Sequence, residues 1–219
     1  MKNNNVKIYD NIIWDFNGTL FNDGELNWKL TNKSLDHLNK PKITFEEYSK
    51  KICFPISEFY SKINLPSSGL EYDKIIQLWI KEYQEQFVHQ DLHVGIKEFV
   101  HSLKVKGKKQ FILSALHQNL LDLITEHHNL RDFFHDILGT RSYDGPGKIA
   151  EGLQMMAQQN LSKLKTVLIG DTLHDAQVAA AMGIDCILIS HGHQHKEVLL
   201  REYDFVVDSV EELESFILR

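Results

Sequence analysis

Apolar residues along this chain come in two patterns that take turns. Short continuous runs occur at Asn11–Phe16, Lys109–Ser114, Thr166–Gly170, Ile184–Ser190 and Phe205–Val207. Several lack the polar alternation of a half-exposed strand, as expected for strands covered on both faces. Between them lie stripes at helical spacing. Ile96, Phe99, Val100 and Leu103 form one that stops before Gly107, and Ala176, Ala179 and Met182 form another leading to Gly183 in the helix-ending position. Ser209 with Glu212 predicts a capping box for a last helix whose inner face is Val210, Leu213, Phe216 and Ile217. This alternation predicts an α/β protein: a doubly wound parallel sheet with helices on both sides.

Residues 23–89 break the rhythm, because several helical segments follow the first strand before a second strand begins. Leu26, Leu30, Leu35 and Leu38 mark one helix, Thr44 with Glu47 caps another, and Ile75, Ile76, Trp79, Ile80, Tyr83 and Phe87 stripe a long one. The expectation is a core of residues 1–22 and 90–219 with an all-helical insertion, 23–89, capping it. Pro66, Ser67, Ser68 and Gly69 mark a loop within the insertion.

Composition narrows the function class. With 219 residues, 42% hydrophobic and 25% charged, the chain can bury an ordinary core without disulfide or metal staples. Lys plus Arg total 24 against 30 Asp plus Glu, and a net charge of -6 spread along the chain disfavours nucleic acid as a partner. The start lacks an apolar leader and the apolar runs are too short to cross a bilayer, so a cytoplasmic protein with no membrane partner is expected. Cys53 and Cys186 lie far apart in unlike contexts and read as small core residues.

The candidate chemistry sits at strand ends. Trp14–Leu20, WDFNGTL, places Asp15 at the carboxyl end of a buried strand, where ligands bind in a doubly wound sheet. The amides of Gly18 and Thr19 could hold an anion such as phosphate there. Val167–Asp175, VLIGDTLHD, delivers Asp171 in the same way, with Asp175 four residues on. Converging carboxylates repel unless a cation sits among them, and magnesium suits such a site. Ser114 ends the run QFILS and Lys148 ends DGPGK, a hydroxyl and an ammonium that suit a phosphoryl group. For each residue alone a structural role is open: Asp15 closing a turn, Asp171 capping a helix, Ser114 and Lys148 solvated at the surface.

Taken in order, Asp15 with its GT, Ser114, Lys148, and Asp171 with Asp175 resemble the four motifs of the haloacid dehalogenase superfamily. The insertion after the first motif is most similar to the phosphoglycolate phosphatase-like members. The resemblance implies a Rossmann-like core and Mg²⁺ as cofactor. It implies Asp15 as a nucleophile that becomes an aspartyl-phosphate and Ser114 and Lys148 as phosphate-binding catalytic residues. Asp171, Asp175 and the Asn17 carbonyl would serve with Asp15 around the metal. One position departs: two residues after the nucleophile, where the pattern has a second Asp that protonates the leaving group, stands Asn17. An amide cannot act as that acid.

The expected activity is a magnesium-dependent phosphohydrolase acting on a small phosphorylated metabolite and favouring leaving groups that need no proton. The alternative is a catalytically impaired module that keeps the phosphate and magnesium site. His117 is a candidate replacement acid, the alternative being a helix-start histidine. His191, His193 and His195 read as a polar loop. A phosphonate hydrolase would need a cap lysine, for which spacing singles out neither Lys29 nor Lys33.

Overall fold

The computed structural model describes residues 8–141 and 148–218. Six parallel strands form one sheet in the order β3-β2-β1-β4-β5-β6. They are β1 (Asn11–Trp14), β2 (Lys109–His117), β3 (Asp136–Thr140), β4 (Thr166–Gly170), β5 (Asp185–Ile189) and β6 (Val206–Val207). The order runs outward from β1 in both directions, so the topological switch lies between β1 and β4. Ligand crevices of doubly wound sheets form at the strand carboxyl ends there.

The continuous apolar runs follow from burial on both faces. In β1, Ile12 and Trp14 face one cluster and Ile13 the other; in β4, Val167 and Ile169 oppose Leu168 in the same way. The first cluster is covered by α5 (Ile96–Val105), α6 (Gln118–His127) and α10 (Val210–Ile217), the second by α7 (Lys148–Gln158), α8 (Leu173–Met182) and α9 (Lys196–Glu202). Burying each such Leu, Ile or Val side chain contributes about 1.5–3 kcal/mol. Strand β3 went unread in the pattern above because only Ile137 and Leu138 interrupt its Asp, Gly and Thr, as an edge strand permits.

Residues 24–86 hold α1 (Gly24–His37), α2 (Phe45–Lys51), α3 (Ile56–Lys62) and α4 (Gly69–Gln86). The expected capping box at Thr44 and Glu47 forms, and Gly183 ends α8 in the left-handed conformation, with φ 71°. Only half of the Ser209 box forms: its hydroxyl accepts from the Glu212 amide, while the Glu212 carboxylate accepts from Asp208 N–H. The four helices share a cluster of their own, centred on Leu35, Tyr48, Phe59, Tyr60, Tyr72 and Ile75. Leu26, Leu30, Tyr83 and Phe87 instead join the sheet's first cluster, so α1 and α4 are rooted in the core. Among the described residues no helix is long and apolar enough to cross a membrane. Both cysteines are free; Cys186 is buried as expected and Cys53 is half-buried.

Candidate active site

Hydrogen bonding carries β1 one residue past its end, Asp15 N–H donating to Ile169 O at 2.8 Å, which aims Asp15 into the crevice between β1 and β4. Asp171 follows β4 directly, and Asp175 sits in the first turn of α8. There the Asp175 carboxylate accepts from the Thr172 amide at 3.0 Å and hydroxyl at 2.7 Å. Carboxylate oxygens of Asp15, Asp171 and Asp175 lie within 4.8 Å of one another, all buried. Lys148, the first residue of α7, extends between two of them, its Nζ 2.5 Å from Asp15 Oδ1 and 2.5 Å from Asp175 Oδ1. Lys148 is thus a buried cation; residues 142–147, which precede it, lie outside the described residues.

Three carboxylates face one ammonium, and the imbalance is visible in their titration. Burial pushes Asp15 up to about 8 despite Lys148, and Asp175 and Asp171 add to the rise. Burial also raises Asp171, to about 6, opposed by the His193 charge. Asp175 is held below the ordinary range: burial would raise it, but Lys148 and the Thr172 donors prevail. Burial alone would lower Lys148, yet Asp15 and Asp175 keep it firmly protonated. A group of hard oxygen donors with surplus negative charge could hold a divalent cation.

Gly18 plays a different part from the one expected. Its N–H donates to Phe21 O at 2.8 Å and to Asp23 Oδ1 at 3.0 Å, so that amide is already taken and does not form an open anion cradle. What the glycine supplies is space: φ is +75°, and a Cβ there would lie 2.3 Å from Asp171 Oδ2. Thr19 is fully buried, its hydroxyl donating to Asp171 Oδ1 at 3.0 Å and to Asp15 Oδ2 at a longer 3.4 Å. Ser114 lies in β2 facing the crevice, its hydroxyl 3.4 Å from Asn17 Oδ1. His117 caps α6 by accepting from Asn119 N–H at 3.3 Å and lines the cavity rim.

Asn17 belongs to a second buried cluster that the sequence did not reveal. Asp23 accepts five hydrogen bonds: from Asn17 Nδ2, Tyr83 OH and Asn27 Nδ2, each 2.7 Å from Oδ2, and from Gly18 N at 3.0 Å and His193 Nε2 at 3.1 Å on Oδ1. Burial acts to raise Asp23, but the His193 charge and these donors hold it below the ordinary range. Burial acts to lower His193, and Asp23 overrides it, lifting the imidazole to about 9. His193 Nδ1 meets Tyr48 OH at 2.9 Å, and its backbone N–H donates to Asp171 Oδ2 at 2.6 Å. The loop after β5, read as polar, buries His193 and Gln194. The three histidines diverge: His191 stacks on His93 with centroids 3.7 Å apart, and His195 caps α9.

The crevice opens into a cavity of about 160 Å³ that reaches from Asp15, Ser114, Lys148, Asp171 and Asp175 to residues of α1–α4. Lys29 and Lys33 take no part, being solvent-exposed and paired with Glu25 and Glu82.

Comparison with known proteins agrees with this architecture. Residues 12–189 match the family model described as haloacid dehalogenase-like hydrolase. Two phosphoglycolate phosphatases are similar: that of Vibrio vulnificus is 24% identical over 63% of this chain and 62% of its own length. That of Pseudomonas syringae pv. tomato is 22% identical over 68% of this chain and 57% of its own. The chain therefore matches only about six-tenths of those relatives. Among solved structures, a predicted phosphatase from Clostridium acetobutylicum superposes with TM-score 0.82 at 23% identity, covering 96% of this chain and 99% of that one. The protein tyrosine kinase A of Mycobacterium tuberculosis does so with 0.78 at 19%, covering 95% and 98%. These likenesses concern the fold. Because the matched segment runs from β1 through β5 and so includes every strand end that carries the acidic cluster, the chain belongs to the haloacid dehalogenase-like hydrolase family.

Proposed function

We propose that this chain is a magnesium-dependent phosphohydrolase that acts on a small phosphorylated metabolite through an aspartyl-phosphate on Asp15. One observation carries the reading: a buried carboxylate at the carboxyl end of β1, 2.5 Å from a buried lysine and grouped with two further carboxylates, lines a cavity. The match to phosphoglycolate phosphatases supports the phosphatase class.

Asp15 Oδ attacks phosphorus, the bond to the leaving-group oxygen breaks, and the electron pair departs with that oxygen. Lys148, with Ser114, would bind the transferring oxygens, as positioning and charge neutralisation dominate phosphoryl transfer. Water then attacks the phosphorus of the acyl phosphate, releasing inorganic phosphate and regenerating Asp15. Magnesium, held by Asp15, Asp171 and the Asn17 carbonyl with Asp175 behind it, would stabilise charge on the phosphoryl group. Asn17 offers no proton, so low-pKa leaving groups, which need none, are favoured.

The Asn17 amide is locked by Asp23 and Tyr83, the latter 2.7 Å away, and this favours one second reading, a binding module with little turnover. A hydrolysis screen over aryl, acyl and alkyl phosphates separates the two. Magnesium-dependent turnover of aryl and acyl phosphates is expected, and Asn17→Asp should raise alkyl phosphate rates by about 10²–10⁴. No turnover by either protein would favour the binding module.

A further inference from the structure

The cavity has two unlike ends. Phe54, Ile56, Phe59, Tyr60, Ile76 and Trp79, all from the helical insertion or its loops, form the wall beyond the acidic cluster. Their rings are held in place by neighbours. Trp79 stacks on Tyr83 with centroids 4.6 Å apart while its indole N–H donates to Asn27 Oδ1 at 3.1 Å. Phe59 meets Tyr48 edge-on at 5.5 Å, and Phe54 stacks on His174 at 5.2 Å. Such a wall is preformed, and aromatic surface offers stacking and apolar contact to a ring. The whole cavity, acidic end included, measures about 160 Å³, and a void of about 150 Å³ is room for one benzene ring.

Among its described residues the same wall holds no lysine or arginine for a second anion. Among the described lining residues the sole lysine or arginine is Lys148, already between Asp15 and Asp175. The charged His193 has both ring nitrogens engaged, by Asp23 and Tyr48. Two of its neutral polar groups are committed, Thr31 donating to Asn27 O at 2.8 Å and Asn27 to Asp23. A carboxylate on the leaving group would be buried there without a lysine or arginine partner. The chemistry at the other end points the same way, since a phenolate departs unprotonated far more readily than an alkoxide and Asn17 supplies no proton.

We infer that this site takes phosphate monoesters whose leaving group is an uncharged aromatic ring, and discriminates against those that carry a second anion, phosphoglycolate among them. The inference rests on the phosphohydrolase reading of the Asp15 end and names its substrate class.

Binding of non-hydrolysable phosphonates tests the wall apart from turnover. With magnesium in excess, calorimetry should show benzylphosphonate binding at least about 30-fold more tightly than 3-phosphonopropionate, which carries a carboxylate in place of the ring. Trp79→Ala should weaken benzylphosphonate binding about tenfold and leave 3-phosphonopropionate unchanged. Ile76→Lys, at a half-buried position on α4, places an ammonium in the wall and should narrow or reverse the preference. Equal, reversed or undetectable binding of the two phosphonates by the native protein overturns the inference. Hydrolysis of phenyl phosphate and phosphoglycolate is scored separately. Selective binding with no hydrolysis of either leaves the wall assignment standing and sinks the phosphohydrolase reading. Hydrolysis of both esters without binding selectivity does the reverse.

Discussion

Two buried charge clusters lie side by side in this molecule, joined through the His193 backbone and the Gly18 turn, and they are satisfied to different degrees. Asp23 has five donors and a cationic partner, and its pKa lies below the ordinary range. Asp15 has one strong donor and two like-charged neighbours, and is pushed up to about 8. A fully satisfied cluster fixes geometry, whereas one left with surplus charge is fit for chemistry or for a cation. Asp23 and His193 thus act as positioning residues, tying Tyr48 of α2 and Tyr83 of α4 to the sheet ends, while the Asp15 cluster faces the cavity.

The comparison breaks first at Asp15. Asp15→Asn should lower hydrolysis of a good substrate by about 10⁴ or more while the protein stays folded, because the proposed nucleophile is lost and one carboxylate repulsion is relieved. Residual activity within tenfold of native would show that Asp15 is not the nucleophile. Asp23→Ala should have the opposite profile in the fold. It strands a buried imidazolium and should cost about 3–5 kcal/mol in urea unfolding, far more than Asp15→Asn. Equal losses from the two variants would erase the distinction.

Titration sharpens it. His193 is raised from 6.5 to about 9, so its stabilisation is complete below pH 6.5 and is lost as pH rises through 9, about 3 kcal/mol over that window. Asp23, being depressed, contributes stability above its unfolded pKa and loses it only as strong acid protonates the folded carboxylate. Unfolding free energies across pH 6–10 should fall in the native protein and change less in His193→Gln; identical slopes would remove the ion pair from the account. The smallest expected effect is at Asp171, where Asp171→Asn should weaken magnesium binding about tenfold or more by calorimetry. Unchanged affinity would place the cation elsewhere.

Much of the Asp15 cluster was legible because its members sit where local signals end. Asp15 and Asp171 terminate runs too apolar to be anything but covered strands, Asp175 follows at helical spacing, and Lys148 follows the sequence Gly-Pro-Gly. The Asp23 cluster was not legible. Asp23 reads as an acidic residue before a helix and His193 as one histidine in a polar loop, yet they lie 170 residues apart in sequence and meet at 3.1 Å. Nothing in either neighbourhood signals that pairing. Gly18 was read as an amide for an anion, whereas its N–H is directed to Phe21 and Asp23.

By itself the sequence determined the parallel α/β core, the helical character of residues 24–86 and the strand-end acids. All follow from periodicity, which is set by whether each face of an element is covered, and from where a run stops. Only the tertiary structure decided which groups become buried together: the Asp23–His193 pair, the closure of the Gly18 amide and the aromatic wall facing Asp15. Those outcomes depend on how α1, α4 and the loop after β5 converge on the sheet end. Burial, which makes a charge costly or a ring useful, belongs to that convergence and to no local stretch of chain.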